Sequence, residues 1–245
     1  SYIASCSNAS RALSFGGQSS SPFASGSDII DYVTIASTGN ATDFGDMLSA
    51  RNRAACESNG TRAIHGGGTD GSSNENTIEY ATIATTGNTI DFGDLTVARE
   101  RLSAASNGSR IVFNGGQAGG YSNTMDYVTG DTTGNAQDFG DLLTPLSNHG
   151  ATGTGSGDRA IVFGGLASGS YHNVIQYFPV STTGNSSDFG DLLGNHAYAS
   201  ACCNSTKAQF VGGYNPGDID IIQQVTMATL GNASDYGDLT EAVYS

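Results

Sequence analysis

The chain has 245 residues, enough to bury a sizeable hydrophobic core, with 35 glycines, only 4 prolines and no tryptophan. Its 23 acidic residues against 9 basic residues give a formal net charge of −14, which disfavours binding to nucleic-acid phosphates and to anionic membrane surfaces. Valine, isoleucine, tyrosine and phenylalanine recur at regular intervals, unlike in a disordered segment, and no run of 18 apolar residues predicts a membrane-spanning helix.

One motif, Thr-Gly-Asn followed by two residues and Asp-Phe-Gly-Asp-Leu, occurs five times with small changes. Its copies begin at Thr38, Thr86, Thr133, Thr183 and Leu230. The glycines of the acidic segment are spaced by 48, 47, 50 and 47 residues: Gly45, Gly93, Gly140, Gly190 and Gly237. A glycine pair precedes each copy and begins at Gly16, Gly66, Gly115, Gly164 and Gly212. Because a fixed period of this size is typical of repeat architectures, the spacing predicts five copies of one structural unit.

Each unit reads as four short β-strands in the same order. The first strand is small and polar, the second ends at the glycine pair, and the third alternates around a tyrosine in four of the five copies. The fourth strand contains one aromatic residue per copy: Phe44, Phe92, Phe139, Phe189 and Tyr236. Four strands repeated in this way match a propeller blade. The sequence therefore predicts an all-β, five-bladed β-propeller of four-stranded antiparallel blades.

The phase of the repeat predicts a single β-propeller domain over residues 1–245. The predicted blades are residues 1–50, 51–98, 99–145, 146–195 and 196–245. Capping repeats, which an open solenoid needs at its ends, are not visible, and this favours a closed ring. We expect the ring to close by packing, since no strand is left to exchange between the first and last blades.

These residues resemble the kelch-type propellers, with a second strand ending in Gly-Gly, a third strand with tyrosine and a fourth strand with a large aromatic residue. Kelch blades usually carry tryptophan in the fourth strand, where this chain has phenylalanine or tyrosine. The segments TGNATDFGDM and SNGTRAIHGGG are also similar to repeats in structural proteins of marine bacteriophages, especially cyanophages. The first resemblance implies a kelch-like propeller, and the second implies a virion protein.

Ten of the 23 carboxylates form Asp pairs that flank the predicted fourth strand. The second members of these pairs are Asp46, Asp94, Asp141, Asp191 and Asp238. One interpretation is that the aspartates accept hydrogen bonds from turn amides, and the other is a ring of calcium sites. Turn capping is favoured, because residues three apart on a strand point to opposite faces and cannot readily chelate one ion. Calcium is the one cofactor left open.

No catalytic motif is recognised in the sequence. Asp-Phe-Gly is part of the magnesium-binding loop of kinases, but here it occurs five times without the other kinase motifs. Cys6, Cys56 and Cys202 are predicted to share one repeat position near the axis that needs a small side chain, with thiol chemistry as the alternative. An enzyme on this scaffold would need an unrepeated cluster of His, Tyr, Asp or Arg at one end of the axis. The sequence shows none, which predicts a non-enzymatic protein.

The segment after each glycine pair changes in length and content while the strands stay constant, and variable loops on a rigid scaffold are where binding usually resides. Aromatic residues among small polar ones suit carbohydrate or protein surfaces. The predicted ligand-binding residues are Phe23, Tyr121, Tyr171, His172 and Tyr214. The alternative is that Tyr121 and Tyr171 merely begin the third strand of their blades.

The sequence thus predicts a non-enzymatic virion structural or appendage protein, such as a phage fibre, a decoration protein or a tail-associated propeller. Its expected partners are other virion or surface proteins and host glycans within a larger assembly, without nucleic acid or membrane insertion. A secreted or cell-surface adhesion or sugar-binding propeller is the alternative, with an extracellular or cell-surface location instead of the virion. A propeller-scaffold enzyme is the third hypothesis.

Overall fold

The computed structural model describes residues 2–18, 26–153 and 158–244. They form five antiparallel sheets arranged in a ring, four with four consecutive strands and one with an additional short strand, so the protein is a five-bladed β-propeller. The predicted fold class is confirmed. Within the described residues, no helix has the length and apolar character needed to cross a membrane.

The first three blades have four strands each. The first blade contains β1 (Ala4–Ser7), β2 (Arg11–Phe15), β3 (Ser27–Thr34) and β4 (Thr42–Arg51). The second contains β5 (Ala55–Ser58), β6 (Arg62–Gly66), β7 (Thr77–Thr82) and β8 (Ile90–Asp94). The third contains β9 (Ser103–Ser106), β10 (Arg110–Asn114), β11 (Thr124–Thr129) and β12 (Gln137–Asp141).

The fourth blade has one additional short strand. It contains β13 (Gly150–Thr152), β14 (Arg159–Phe163), β16 (Ser170–Pro179) and β17 (Ser187–His196), and the two-residue β15 (Leu166–Ala167) pairs with β16. The fifth blade contains β18 (Ser200–Cys203), β19 (Lys207–Val211), β20 (Ile219–Thr226) and β21 (Ser234–Val243). The first strands of successive blades contact one another, from β1 through β5, β9 and β13 to β18, and so surround the axis.

A β-bulge interrupts the fourth strand of each blade, and in the first four blades it turns an aromatic side chain towards the next blade. In the first blade Ile30 pairs with Gly45 and Asp31 pairs with Asp43, which leaves Phe44 between them without a partner in the ladder. Bulges re-aim side chains in this way. Phe44 is 2% exposed and meets Tyr32 edge-on, with the ring centroids 5.9 Å apart. The same register shift occurs in the other four blades.

The hydrophobic core lies between blades rather than within them. It consists of four clusters of buried residues, and each cluster joins side chains of two successive blades. The cluster between the second and third blades, for example, combines Ile64, Ile78 and Phe92 with Ile111 and Phe113. Because each blade buries its apolar side chains against a neighbour, stability depends on the junctions between blades.

Each of these four junctions contains a backbone contact between two glycines. A Cβ atom added to Gly45 would lie 2.5 Å from the carbonyl carbon of Gly87 in the next blade, and Gly45 has a φ of +145°. The N–H of Gly87 donates to the carbonyl of Phe44 at 2.7 Å, and Oδ1 of Asn88 accepts from the N–H of Asp46 at 3.1 Å. The equivalent Gly N–H to Phe O bonds are Gly134 to Phe92 (2.7 Å), Gly184 to Phe139 (2.7 Å) and Gly231 to Phe189 (2.8 Å).

These bonds correct the role predicted for the aspartates. The side chain that bonds the backbone N–H of the second Asp is the asparagine of the next blade's Thr-Gly-Asn turn: Asn88, Asn135, Asn185 and Asn232. Of the ten carboxylates in the Asp pairs, only that of Asp235 accepts a hydrogen bond among the described residues, from the N–H of Gly237. Side-chain turn capping by the aspartates is therefore wrong for the other nine.

The junction between the fifth and first blades is exposed, whereas we expected it to close by packing. Tyr236 of the fifth blade is 60% exposed, whereas Phe44, Phe92, Phe139 and Phe189 at the equivalent position are each 2% exposed. Val33 of the first blade is 39% exposed, whereas its equivalent Val128 is 4% exposed. A Cβ on Gly237 would meet no atom within 4 Å. Among the described residues, the glycine contact and its hydrogen bonds do not recur here.

The glycine pair of the second blade lies one residue later than predicted. Gly67 and Gly68 have φ values of +69° and +98°, like the pairs of the other blades, whereas Gly66 ends β6 at the position of Phe15. A Cβ on Gly66 would lie 2.9 Å from the ring of Phe113, which fills this space. Because Gly66, Gly67 and Gly68 are consecutive, the sequence alone does not show which two of them are equivalent to the glycine pairs of the other blades.

The shift also corrects the predicted cysteine position. Cys6 pairs with Leu13 and Cys202 pairs with Gln209, and these two pairs are equivalent. Cys56 pairs with His65, so it lies one position earlier in its first strand than Cys6 does. Cys56 is therefore equivalent to Ala104 and not to Cys6.

Buried ion pairs cross the first two junctions. Arg51 contacts Glu79, and Nη1 of Arg99 lies 2.5 Å from Oδ2 of Asp126, with all four side chains fully buried. Oε2 of Glu79 also accepts from the N–H of Leu48 at 2.8 Å. Burial raises the pKa of Glu79, but His65, Arg51 and Thr89 together outweigh this and lower it to about 2. In the later junctions Gln176 and Gln223 occupy the place of the acid and accept similar backbone bonds.

We expect Gly140→Ala to destabilise the protein by about 2–4 kcal/mol, because Gly140 has a φ of +139° and its new Cβ would lie 2.5 Å from the backbone of Gly184. Gly237→Ala is the matched control, with a similar φ of +143° but open space around it, and it should lose only about 1 kcal/mol. Urea unfolding followed by circular dichroism measures both. Equal losses would show that backbone strain, and not the contact between blades, makes the glycine necessary.

Glu79→Gln should destabilise the protein by about 3–5 kcal/mol, because it leaves the buried Arg51 without its counter-charge. The double variant Arg51→Leu/Glu79→Gln should recover most of this loss, because it copies the Leu146 and Gln176 pair of a later junction. Unfolding free energies of the three proteins at pH 7 check this.

The same series tests the pH dependence. Since the folded-state pKa of Glu79 is about 2 and its ordinary value is 4.5, its contribution is complete above pH 4.5 and is lost as the pH falls towards 2. The native protein should therefore lose more stability between pH 5 and pH 3 than the double variant. Parallel losses would contradict the assignment to Glu79.

Candidate binding face

Five equivalent residues form the innermost turn at one end of the axis. Their φ values lie between +50° and +62°, in the left-handed region, although none is glycine: Tyr2, Arg53, Arg101, Asn148 and Tyr198. In four of the five, the backbone N–H donates to the carbonyl of the equivalent residue in the preceding blade: Arg53 to Tyr2 (3.4 Å), Arg101 to Arg53 (2.7 Å), Asn148 to Arg101 (3.1 Å) and Tyr198 to Asn148 (2.9 Å). Non-glycine residues in this conformation carry strain and are found preferentially at functional sites.

The side chains of these five residues surround a pocket of about 300 Å³ on the axis. Its wall also includes Ile3, Ala54, Leu102, His149 and Ala199. All five blades contribute to it, so the pocket lies where the repeat converges. The lining is apolar with a few polar groups, as is usual for small-ligand sites.

The polar groups of the pocket are unequally distributed around it. Nη1 of Arg53 lies 2.9 Å from Oε2 of Glu100, and Nε of Arg101 lies 3.5 Å from Oε1 of the same carboxylate. The guanidinium of Arg53 also lies over the ring of Tyr2, 4.8 Å from its centroid. Two arginines and one glutamate make this a locally basic site on a protein with a net charge of −14.

Several buried nitrogen atoms of the pocket form no hydrogen bond within the described residues, although one of them lies within ion-pair distance of Glu100. Nε of Arg53, Nε of Arg101 and Nδ1 of His149 are buried and form no hydrogen bond there. Burial is the main cause that lowers the pKa of His149 to about 3, and Nε2 lies 2.8 Å from Oδ1 of Asn114, so the imidazole is neutral at pH 7. Burial raises the pKa of Tyr198, which keeps its hydroxyl protonated. A bound polar molecule could satisfy these groups.

The variable segments after the glycine pairs lie at this same end of the axis. In the third blade Glu100, next to Arg101, exchanges two backbone hydrogen bonds with Gln117, of 3.1 and 2.7 Å. In the fifth blade Ala197, next to Tyr198, pairs in the same way with Tyr214. The axial pocket and the predicted binding loops therefore form one face, which we call the tyrosine face.

A chain of tyrosines runs outward from the pocket across the tyrosine face. The ring centroids are separated by 6.3 Å between Tyr198 and Tyr244, 5.5 Å between Tyr244 and Tyr214, and 5.9 Å between Tyr214 and Tyr171. The hydroxyl of Tyr121 accepts from the N–H of Gly169 at 3.2 Å and continues the series on the adjacent blade. Tyrosine supplies apolar contact area together with a hydroxyl for hydrogen bonding.

The structure brings together three of the five predicted ligand-binding residues. Tyr171 and Tyr214 belong to the tyrosine chain, and Tyr121 borders it. Tyr171 is the second residue of β16, whereas Tyr121 precedes β11 and forms an isolated bridge with Gln117.

The other two predicted residues do not join this cluster. His172 follows Tyr171 in β16 and pairs with His196, and since successive strand residues point to opposite faces, it lies off the tyrosine chain. Phe23 lies outside the described residues.

Sequence reasoning missed Tyr2, Arg53, Arg101 and Tyr198. We expected no unrepeated cluster of Tyr or Arg at the axis, but these four residues form one. They share a repeat position just before the first strand, which becomes visible only when the copies are aligned to the position of the left-handed turn. Every blade has the same backbone conformation at this position, but the residue type differs from blade to blade. That difference was the signal in the sequence that could have indicated a binding site.

The opposite end of the axis has a different character. A pocket of about 480 Å³ there is lined by small and polar residues that include Glu57, Ser106, Thr152 and Cys203. Burial raises the pKa of Glu57 to about 7. Near this end Sγ of Cys6 lies 3.0 Å from Sγ of Cys56, and burial, followed by the contact with Cys6, raises the pKa of Cys56 well above its ordinary value. This environment keeps the Cys56 thiol protonated at neutral pH.

The metal and family comparisons add no assignment. Over the described residues, no group of three or more His, Cys, Asp or Glu side chains is arranged to hold a metal ion, and calcium binding stays a prediction. No protein-family model matches the chain, and no curated protein is similar to it in sequence. The class of protein, a five-bladed β-propeller, therefore rests on the structure.

Arg101→Gly should leave stability unchanged or raise it by about 1 kcal/mol, because glycine removes the strain of a left-handed residue with a φ of +58°. Arg101→Ala is the control, since it removes the same charged group but keeps the Cβ and hence the strain. Thermal unfolding compares the two variants. If both are destabilised equally, the residue is held in place for stability rather than for what its side chain presents.

Proposed function

We propose that the protein is a non-enzymatic binding propeller whose tyrosine face recognises a glycan or a neighbouring protein. The observation that carries the proposal is the row of tyrosines that leads into the axial pocket with its two arginines and Glu100. Aromatic rings pack against the apolar faces of sugars, while guanidinium, amide and carboxylate groups bond sugar hydroxyls. A host glycan is the ligand that this combination of groups fits best.

The biological setting of this proposal is a virion. The resemblance of the segments TGNATDFGDM and SNGTRAIHGGG to repeats in structural proteins of marine bacteriophages, together with the acidic composition, favours a fibre, decoration protein or tail-associated propeller with kelch-like blades. A secreted or cell-surface adhesion propeller would use the same tyrosine face for the same chemistry. Mass spectrometry of purified particles separates the two, because a virion protein must be present in them.

An enzyme is less well supported by the geometry of the pocket. Glu100 is not among the lining residues and is engaged by Arg53 and Arg101, and His149, which is part of the wall, is only 5% exposed. General acid–base catalysis needs a group that can reach the reacting atoms and exchange a proton with them. The arrangement supports recognition better than proton transfer.

A glycan array of neutral and acidic oligosaccharides, followed by titration calorimetry with the best ligand, tests the proposal. Tyr198→Ala and Tyr214→Ala should each weaken binding by about tenfold, the loss of roughly 1.4 kcal/mol of aromatic contact. Tyr236→Ala is the matched control, because this exposed tyrosine lies on the fifth blade outside the tyrosine face, and it should bind normally.

Three outcomes would contradict the proposal. If no glycan and no virion or surface protein binds to the native protein, the tyrosine face is not a recognition site. If the bound oligosaccharide is recovered cleaved, as read by mass spectrometry of the ligand, the protein is an enzyme. Equal losses for Tyr198→Ala and Tyr236→Ala would place binding elsewhere.

A further inference from the structure

The exposed junction between the fifth and first blades consists of the two complementary halves of a blade–blade interface. The fifth blade exposes the face that packs against the next blade at the other junctions, with Tyr236 at the position of the buried phenylalanines. The first blade presents the side that receives a neighbour, with Val33 and Ile35 exposed at 39% and 53%. Their equivalents in the next blades are all at most 4% exposed: Ala81, Val128, Phe178 and Val225 for Val33, and Ile83, Val180 and Met227 for Ile35.

The backbone groups at this junction match the same pattern. In the four packed junctions the glycine of the Thr-Gly-Asn turn, which is Leu-Gly-Asn in the fifth blade, donates to the Phe carbonyl, and its asparagine side chain accepts from the N–H of the second Asp. The fifth blade offers the corresponding carbonyl of Tyr236 and N–H of Asp238. The first blade offers the corresponding turn, Gly39 and Asn40. None of these four groups forms its junction bond among the described residues.

We infer that this junction is a docking surface for one further four-stranded blade of the same repeat. Its Thr-Gly-Asn turn would bond the Tyr236 carbonyl of the fifth blade, and its Asp-Phe-Gly-Asp segment would cover Val33 and Ile35 of the first blade. Four packed junctions within this chain show this pairing of faces, and both halves of it are exposed here. A blade of this type satisfies the apolar and the hydrogen-bonding groups together, which a purely apolar partner does not.

The test extends the full chain by one of its own repeats. Because the carbonyl of Val243 accepts from Gly213 as that of Arg51 accepts from Gly17, a residue placed after Ser245 is in register with Ala54. A copy of residues 54–101 is therefore appended there. Amide hydrogen exchange of Gly39, followed by NMR, is the readout, since its N–H would gain a carbonyl partner. Its exchange should slow by more than tenfold relative to the unextended chain.

A matched control carries Gly93→Val in the appended copy only. In the native second blade a Cβ on Gly93 would lie 2.4 Å from the carbonyl oxygen of Gly134. The same substitution in the appended blade should block its approach to Gly39 and leave this amide exchanging rapidly. A second extension with a copy of residues 102–148 guards against one repeat failing to fold in its new place.

Three results would overturn the inference. Rapid exchange of Gly39 in both extended chains would show that a blade does not dock at this surface. Slow exchange of Gly39 in the unextended chain, independent of concentration, would show that the ring closes on itself. Slow exchange that appears only at high concentration would assign the surface to a second copy of the chain.

Discussion

The close approach of two glycines between successive blades is the constraint on which this propeller depends. Gly45 cannot carry a Cβ, because the backbone of Gly87 lies where that atom would be, and the same is true of Gly93, Gly140 and Gly190. This approach brings the Gly87 N–H within 2.7 Å of the Phe44 carbonyl and lets Asn88 reach the backbone of Asp46. The bulge that creates the space also turns Phe44 into the cluster between the blades. One backbone conformation therefore sets the hydrogen bonds and the packing of a junction together.

The fold could be predicted from the sequence because this constraint repeats. Glycine, aspartate and a large aromatic residue recur at the same interval, and the alternating strands around each tyrosine predict the sheet. The register of the second blade could not be read correctly, because Gly66, Gly67 and Gly68 are identical in the sequence and only the backbone conformation distinguishes them. The role of asparagine was also hidden, since it bonds a residue more than 40 positions away in the preceding blade.

The candidate site could be predicted only in part, and for a physical reason. Tyr121, Tyr171 and Tyr214 are conspicuous because they interrupt variable, small and polar segments. Arg53 and Tyr198 have no such signal, since their importance comes from a left-handed turn that brings one residue of each blade to the axis. Most of the other arginines have roles in junctions: Arg11, Arg62, Arg110 and Arg159 each lie over a tyrosine ring and donate to the next blade.

The contrast between these two sets of positions explains how one repeat can keep a constant scaffold and also carry the varied side chains of the proposed binding site. At the junctions, any change in a glycine disturbs two blades at once, so the residues there are the same in nearly every copy. At the axis, the backbone hydrogen bonds join one blade to the next whatever side chain the turn carries, and the positions hold Tyr, Arg, Arg, Asn and Tyr. Glycine would relieve the strain at each of these turns but would present no side chain. The side chains at these positions therefore fit selection for contact with a ligand in the pocket. Their differences make one face of a nearly fivefold-symmetric scaffold asymmetric.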